Sequence, residues 1–323
     1  MRESCSVRVD HVKVDRVKAD RVKTDRVMED RMERKPVKYP QIVHTWMYGG
    51  LSIESIADSL AKTGAAGADL SISNVNPHND IRLFEKLDLA GIFSDRGLEV
   101  KAVTPRFFER DLDLSSPDKA IRDNAAGFCK RCIELSRALS CDLMLVVPSW
   151  INGPPMFHIS REDDCKRAAE SLAQLAEFAA GFDVTLIIEP INRYIVSLVH
   201  TVEEAARMAV AAGMRNVAVA PDTFHMNIEE PDGIPSAIRR CGSNLKLLHV
   251  GEQNRRAPGN GVMDWGAILS ALADIGYDGC LSHEPFSLYF DPVKVAADPD
   301  YQAGFEKELI DSIKFLEQCM IFA

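Results

Sequence analysis

Glu189, Asp222, His249 and Glu284 each stand where a short apolar run gives out, in Thr185-Leu-Ile-Ile-Glu189, Val217-Ala-Val-Ala-Pro-Asp222, Leu245-Lys-Leu-Leu-His249 and Gly279-Cys-Leu-Ser-His-Glu284. Runs of this kind read as short buried strands that end in loops. A lone carboxylate at such a place is most often a helix cap or a solvated charge, and a lone histidine a hydrogen-bonded structural residue. Four metal-capable side chains at the same point of four successive units favour one shared site over four accidents. Three carboxylates and an imidazole form an oxygen-rich, moderately hard ligand set. It suits Mn²⁺, Mg²⁺ or Co²⁺ better than a thiolate-favouring or structural Zn²⁺ site.

The elements that must position these residues alternate regularly. Strands are predicted over Gln41–Tyr48, Gly67–Ser73, Glu99–Val103, Asp142–Val147, Val184–Glu189, Val217–Asp222, Lys246–His249 and Gly279–His283. Helices are predicted over Ile53–Lys62, Ile81–Arg96, Lys119–Leu139, Asp163–Ala180, Val202–Ala212, Pro235–Cys241, Trp265–Ile275 and Tyr301–Phe322. Eight strand-helix units with near-continuous apolar strands match an α/β protein of the (β/α)8 TIM-barrel class, whose active sites lie at the C-terminal ends of the strands. An open doubly wound sheet is the competing architecture. It is weakened because Tyr48-Gly49-Gly50-Leu51 is no Gly-x-Gly-x-x-Gly loop.

With 46% hydrophobic and 27% charged residues, the 323-residue chain has the composition of a protein that buries a full core. A single barrel domain is expected over 39–323. Residues 1–38 form a charged tail carrying 12 Lys/Arg against 8 Asp/Glu, built on a five-residue repeat seen in Val12-Lys-Val-Asp-Arg16 and Val22-Lys-Thr-Asp-Arg26. A period of five keeps neither a helical stripe nor a strand face in line, so the tail is expected to be disordered or loosely helical. The rest of the chain is acidic, which disfavours a nucleic-acid surface. No apolar stretch is long enough to span a membrane, and the charged N-terminus holds no apolar signal segment, so the expected address is the cytoplasm. The eight cysteines are scattered and expected to be reduced. Cys129-x-x-Cys132 falls mid-helix, which argues against a redox motif.

The residues around the four candidate ligands carry a resemblance. Glu189-Pro-Ile-Asn-Arg-Tyr194, Asp222-Thr-Phe-His-Met-Asn-Ile-Glu-Glu230, His249-Val-Gly-Glu-Gln-Asn-Arg255 with Pro258-Gly-Asn-Gly261, and Ile275-Gly-Tyr-Asp-Gly279 leading to Glu284-Pro-Phe286 resemble the D-tagatose 3-epimerase (D-psicose 3-epimerase) family of xylose-isomerase-like enzymes. The likeness is strongest over residues 185–286. It implies that the four residues bind one divalent ion, Mn²⁺ first, with Mg²⁺ or Co²⁺ as alternatives. It also implies that Glu189 and Glu284 double as the acid-base pair, and that His225 and Arg255 hold the carbonyl end of a small sugar. The implied reaction is C3 epimerisation of a ketose through a cis-enediolate, in a homodimer or homotetramer. The chemistry suits the residues, since a C–H beside a ketone is a poor acid and inversion needs a base on each face.

One position departs from the family pattern. Where Asn192-Arg193-Tyr194 is usually followed by Glu, this chain has Ile195. The strand ends in the first half of the chain match the free-ketose enzymes weakly. A lyase or dehydratase acting on another keto-sugar, or a hydroxypyruvate-type isomerase acting on a keto-acid, therefore stays open beside the epimerase, because related enzymes reuse the ligand set. A metal-dependent abasic-site endonuclease is disfavoured by the single candidate histidine ligand in an acidic body. Trp46, Tyr48, Phe107, Phe108, Trp150 and Phe286 also fall near strand ends, where aromatics line a sugar mouth or serve as core lids.

Overall fold

The computed structural model describes residues 38–153, 160–286 and 291–321. The charged repeats of the tail lie outside them. Within the described residues eight parallel strands form one sheet: β1 (Gln41–His44), β2 (Gly67–Ile72), β3 (Glu99–Pro105), β4 (Leu143–Val146), β5 (Thr185–Ile188), β6 (Val217–Val219), β7 (Leu247–Val250) and β8 (Cys280–His283). Their order is β6-β5-β4-β3-β2-β1-β8-β7. The ends of that order meet through parallel bridges at Val219 with Leu245 and Asp222 with His249. Lys246 N–H donates to the Val219 carbonyl at 3.0 Å, and His249 N–H to that of Pro221 at 2.9 Å. The sheet closes on itself, so the chain is a (β/α)8 barrel and the open doubly wound alternative falls.

Strands β1, β2, β6 and β7 are buried along their whole length. Barrel side chains pack inward while the helices cover the outside, which explains strands that are apolar throughout instead of alternating. The helices are α1 (Ile53–Thr63), α2 (Ile81–Phe84), α3 (Leu89–Ser94), α4 (Lys119–Ala138), α5 (Arg161–Ala180), α6 (Val202–Ala212), α7 (Thr223–Glu229), α8 (Ile234–Cys241), α9 (Trp265–Asp274), α10 (Pro292–Ala297) and α11 (Pro299–Met320). α1 shows the local logic. Ser52 caps it by accepting from Ser55 N–H, and Ile53, Ile56, Ala57 and Leu60 form the buried stripe.

Three local readings change. The first predicted strand stops at His44, whose Nδ1 accepts from Trp46 N–H at 3.3 Å and turns Thr45–Tyr48 into a 3₁₀ turn. The helix expected over 81–96 breaks in two, because Asp88 accepts from Gly91 N–H and starts α3 anew. α7 is not among the predicted helices, since Asp222 reads in sequence as the end of a strand and not as a cap. Cys129 and Cys132 lie on the buried side of α4, where burial pushes the Cys129 thiol up to about 12 and Cys132 well above its ordinary value. Thiols held protonated this way are packing residues. No helix among the described residues is long and apolar enough to cross a membrane.

Candidate metal and proton-transfer site

The closed barrel brings the four residues together at one rim. Glu189 and Glu284 directly follow β5 and β8, His249 lies within β7, and Asp222 stands three residues past β6. All four are buried, and one ligand atom from each lies within 4.8 Å of the others. Asp222 has two uses: Oδ1 accepts from Phe224 N–H at 2.8 Å and caps α7, while Oδ2 meets Nη1 of Arg255. Glu284 accepts from Trp46 Nε1–H at 2.9 Å through Oε1. Its Oε2 lies 3.0 Å from His249 Nδ1 and 3.2 Å from Arg255 Nη2. Glu189 Oε1 lies 3.5 Å from the same Nδ1.

Asp69, within β2, completes the cluster and is not among the residues that the sequence singles out. It is fully buried, and Oδ2 sits 3.0 Å from His249 Nε2. Ser282 Oγ donates to Oδ2 at 3.0 Å and Thr104 Oγ1 to Oδ1 at 2.6 Å. A carboxylate on Nε2 holds the ring so that Nδ1 faces the other acids, the usual second partner of a metal-binding histidine. The signal for it is a lone acid inside an otherwise buried strand, Gly67-Ala-Asp-Leu-Ser-Ile72, because a charge in such a run needs partners.

The electrostatics fit a cation. Burial alone would lower the His249 pKa, but hydrogen bonds to Asp69, Glu189 and Glu284 hold it well above its ordinary value. Burial raises Glu189 to about 7. Burial would raise Glu284 as well, yet the Arg255 guanidinium and His249 outweigh it and hold that carboxyl well below the usual range. Four acids thus crowd one imidazole and one guanidinium. A hard divalent ion suits these oxygens and would displace the proton from Nδ1. The buried acid-imidazole cluster and the family together point to a divalent metal.

The two other predicted residues join the same cavity. Arg255 adopts a left-handed backbone, φ +64°, in the loop after β7. Its guanidinium carbon lies 4.8 Å from the Phe224 ring and 5.0 Å from that of Phe286. A non-glycine residue in that conformation costs on the order of 1–2 kcal/mol, which its ion pairs to Asp222 and Glu284 offset. His225, on α7, has Nδ1 2.8 Å from Asn192 Nδ2. Because Asn192 Oδ1 accepts from Tyr194 N–H at 3.0 Å, the amide NH₂ is the end that faces His225, and Nδ1 must accept. His225 therefore carries its proton on Nε2. Burial lowers its pKa to about 4, so the ring is a neutral donor.

The cavity holds about 430 Å³ and is lined by Glu189, Glu284, His225 and Arg255 together with His44, Trp46, Arg106, Phe108 and Phe286. The aromatics divide. Trp46, Phe108 and Phe286 line it, while Tyr48 and Phe107 are fully buried core residues. Trp150 donates through Nε1 to the Phe108 carbonyl at 3.0 Å. The aliphatic wall is formed by Leu145, Val147, Ile151, Ile191 and Ile195.

Glu252 explains the Pro258-Gly-Asn-Gly261 segment. Its Oε1 accepts from Gly259 N–H and Trp265 Nε1–H, both at 2.8 Å, and its Oε2 accepts from Met263 N–H at 3.1 Å. A Cβ on Gly261 would come within 2.3 Å of Oε2, so only glycine lets the carboxylate sit inside the loop that presents Arg255. Glu252→Ala leaves those donors without an acceptor. At about 1–3 kcal/mol per unmet buried donor, unfolding free energy should drop by about 3 kcal/mol in urea titration. KM should rise as Arg255 loses its support.

Fold and site define a (β/α)8 barrel with a buried acid-imidazole cluster at its strand ends. The chain belongs to the xylose isomerase-like TIM barrel family, whose model matches residues 57–319, and within it to the D-psicose (D-tagatose) 3-epimerase group. It is 40% identical over 177 residues to a D-psicose 3-epimerase of Ruminiclostridium cellulolyticum, a match covering 54% of this chain and 59% of that enzyme. It is 33% identical over 233 residues to a D-psicose 3-epimerase of Agrobacterium fabrum, covering 71% and 78%. Crystal structures of D-psicose 3-epimerase with D-tagatose from Clostridium cellulolyticum H10 superpose with a TM-score of 0.75 at 28% identity, covering 87% of this chain and 99% of that one.

Proposed function

We propose that the protein is a divalent-metal-dependent ketose 3-epimerase in which Glu189 and Glu284 exchange the C3 proton between the two faces of the sugar. The observation that carries this reading is the meeting of two buried carboxylates, from β5 and β8, at one imidazole in a cavity that also holds Arg255 and His225. Glu189, Asp222, His249 and Glu284 would hold the ion, Mn²⁺ by preference. When bound, it would supply the positive charge that makes a C–H beside a ketone acidic and steadies the resulting enediolate. One glutamate takes the proton from one face and the other returns a proton to the opposite face, with the roles exchanged for the reverse substrate. His225 Nε2–H and the Arg255 guanidinium donate to the substrate oxygens at the carbonyl end. The cysteines among the described residues are unpaired, which accords with a cytoplasmic setting, and the family resemblance accords with a homodimer or homotetramer.

The test is proton exchange. Chelator-stripped protein reloaded with Mn²⁺ should exchange the C3 hydrogen of D-fructose/D-psicose or D-tagatose/D-sorbose with deuterated solvent and yield both C3 epimers, and the stripped protein should do neither. Mn²⁺-loaded protein that exchanges no ketose C3 hydrogen would contradict the reading.

Ile195 supports a second one. It lies in the aliphatic wall, and Asn152 N–H donates to its carbonyl at 2.8 Å. Asn152 is the polar side chain beside Ile195, so a hydroxyl-rich ketose end finds fewer partners there than a Glu at 195 would give. A less polar keto-sugar loses little, and proton abstraction from one with a leaving group β to its carbonyl expels that group as elimination. If the pocket has simply lost one polar contact, Ile195→Glu should raise kcat/KM for small free ketoses by about tenfold, the scale of one charge-assisted hydrogen bond. No gain, with release of water or an aglycone from larger substrates, would favour the lyase.

A further inference from the structure

We propose that Arg106 and His44 form an anion-recognition point in the cavity, so that the substrate is a keto-sugar bearing a carboxylate or phosphate. This deepens the epimerase reading and rests on it. Arg106 follows β3, and its guanidinium carbon sits 4.7 Å from the Phe108 ring and 5.6 Å from the Trp46 ring. It makes no ion pair and no side-chain hydrogen bond among the described residues. Burial pulls its pKa down, opposed by the charge of Glu109. The contrast with Arg255 is direct, since that guanidinium is already engaged by Asp222 and Glu284. Arg106 is thus a partly desolvated cation packed against two rings, with its donors unengaged among the described residues.

His44 stands at the end of β1 and lines the same cavity. Its Nδ1 accepts from Trp46 N–H, which leaves Nε2 as its donor. Both side chains pack against Trp46, with the Arg106 guanidinium carbon at 5.6 Å and the His44 ring at 6.4 Å from the Trp46 ring. The neighbouring Thr104 hydroxyl donates to Asp69 and does not quench either of them. The cavity's other lining cation, Arg255, is held by Asp222 and Glu284, and Leu145, Val147, Ile151, Ile191, Ile195 and Asn152 carry no charge, so Arg106 is the group that can meet a charged substituent. A guanidinium fork matches the two oxygens of a carboxylate or phosphate, and such charge-assisted bonds are about twice as strong as neutral ones. An anionic substrate would otherwise be repelled by Glu189 and Glu284.

The experiment compares D-fructose, D-fructose 6-phosphate and D-fructuronate as substrates for C3 hydrogen exchange with Mn²⁺-loaded protein. One anion should exceed D-fructose in kcat/KM by about tenfold or more, the scale of one such contact, and which one it is separates phosphate from carboxylate. Arg106→Met should bring that ratio to about one, and Arg106→Lys should keep part of it. Calorimetric binding of the unreactive 6-phospho-D-gluconate and D-glucarate, against D-sorbitol, reads the same point without turnover. Anion binding that disappears in Arg106→Met, with no C3 exchange on any substrate, would uphold the anion point and sink the epimerase reading instead. Preference for the neutral ketose, or anion binding unchanged in Arg106→Met, would overturn the proposal.

Discussion

Glu284→Gln and Glu189→Gln are each expected to lower kcat by about three orders of magnitude or more, with the protein still folded. General acid-base catalysis by one positioned group contributes about 10²–10⁴-fold, and here the same carboxylates are candidate ligands, so each change also weakens the metal site. The amide is nearly isosteric, so both variants should unfold close to the parent in urea. They should differ from each other in one respect. Glu284 is bound by Trp46, His249 and Arg255, whereas Glu189 contacts His249 at 3.5 Å. The amide of Glu284→Gln would place an NH₂ against one of those donors, so metal affinity should fall further in this variant than in Glu189→Gln. Single-turnover epimerisation at saturating metal isolates the proton-transfer loss, since inversion needs both carboxylates. If either variant interconverts the two C3 epimers at near-parental rate once saturated with metal, the two-base scheme is wrong, whereas exchange confined to one epimer is the remaining glutamate at work.

What can be read in advance follows from physics that is local in sequence. The strands declare themselves because Thr185-Leu-Ile-Ile188 and Leu247-Leu-His-Val250 lie inside a closed sheet and must be apolar. The four metal-capable residues at their ends follow from counting units, since barrel closure converts equivalent positions on successive strands into neighbours. Asp69 escapes because its role depends on a partner 180 residues away, and a pattern of periodicity carries no information about which strand faces which. Arg106 escapes for the opposite reason. A basic residue after a strand reads as solvated until its rings, Trp46 and Phe108, are seen to come from different loops. The split at Asp88 is legible as a cap in Asp-Leu-Ala-Gly91, but the apolar spacing continues across it and masks the break.

Asp69→Asn should weaken Mn²⁺ binding by about 10–100-fold, the range seen when the outer partner of a metal-binding histidine is changed. The argument is one of tautomers. Asp69 offers acceptors only, so the His249 nitrogen beside it must carry a proton and Nδ1 is left for the ion. Asparagine has one acceptor oxygen for three donors, from Thr104, Ser282 and His249. Two outcomes are open to the amide. If its oxygen stays with His249, Thr104 faces an NH₂ and must rotate its hydroxyl; if the NH₂ turns to His249, Nε2 becomes the acceptor and the proton moves to Nδ1, where it blocks the ion. Either route lowers affinity without removing a candidate ligand or a proton-transfer group. Raising Mn²⁺ should therefore restore most of kcat in Asp69→Asn, and no amount of metal should restore it in Glu284→Gln. Unfolding measured on the metal-free protein supplies the control, since one imperfect buried hydrogen bond costs about 1–3 kcal/mol whatever the metal does. Parental Mn²⁺ affinity in Asp69→Asn, measured by competition with a chelator, would show that His249 does not depend on this carboxylate for its orientation.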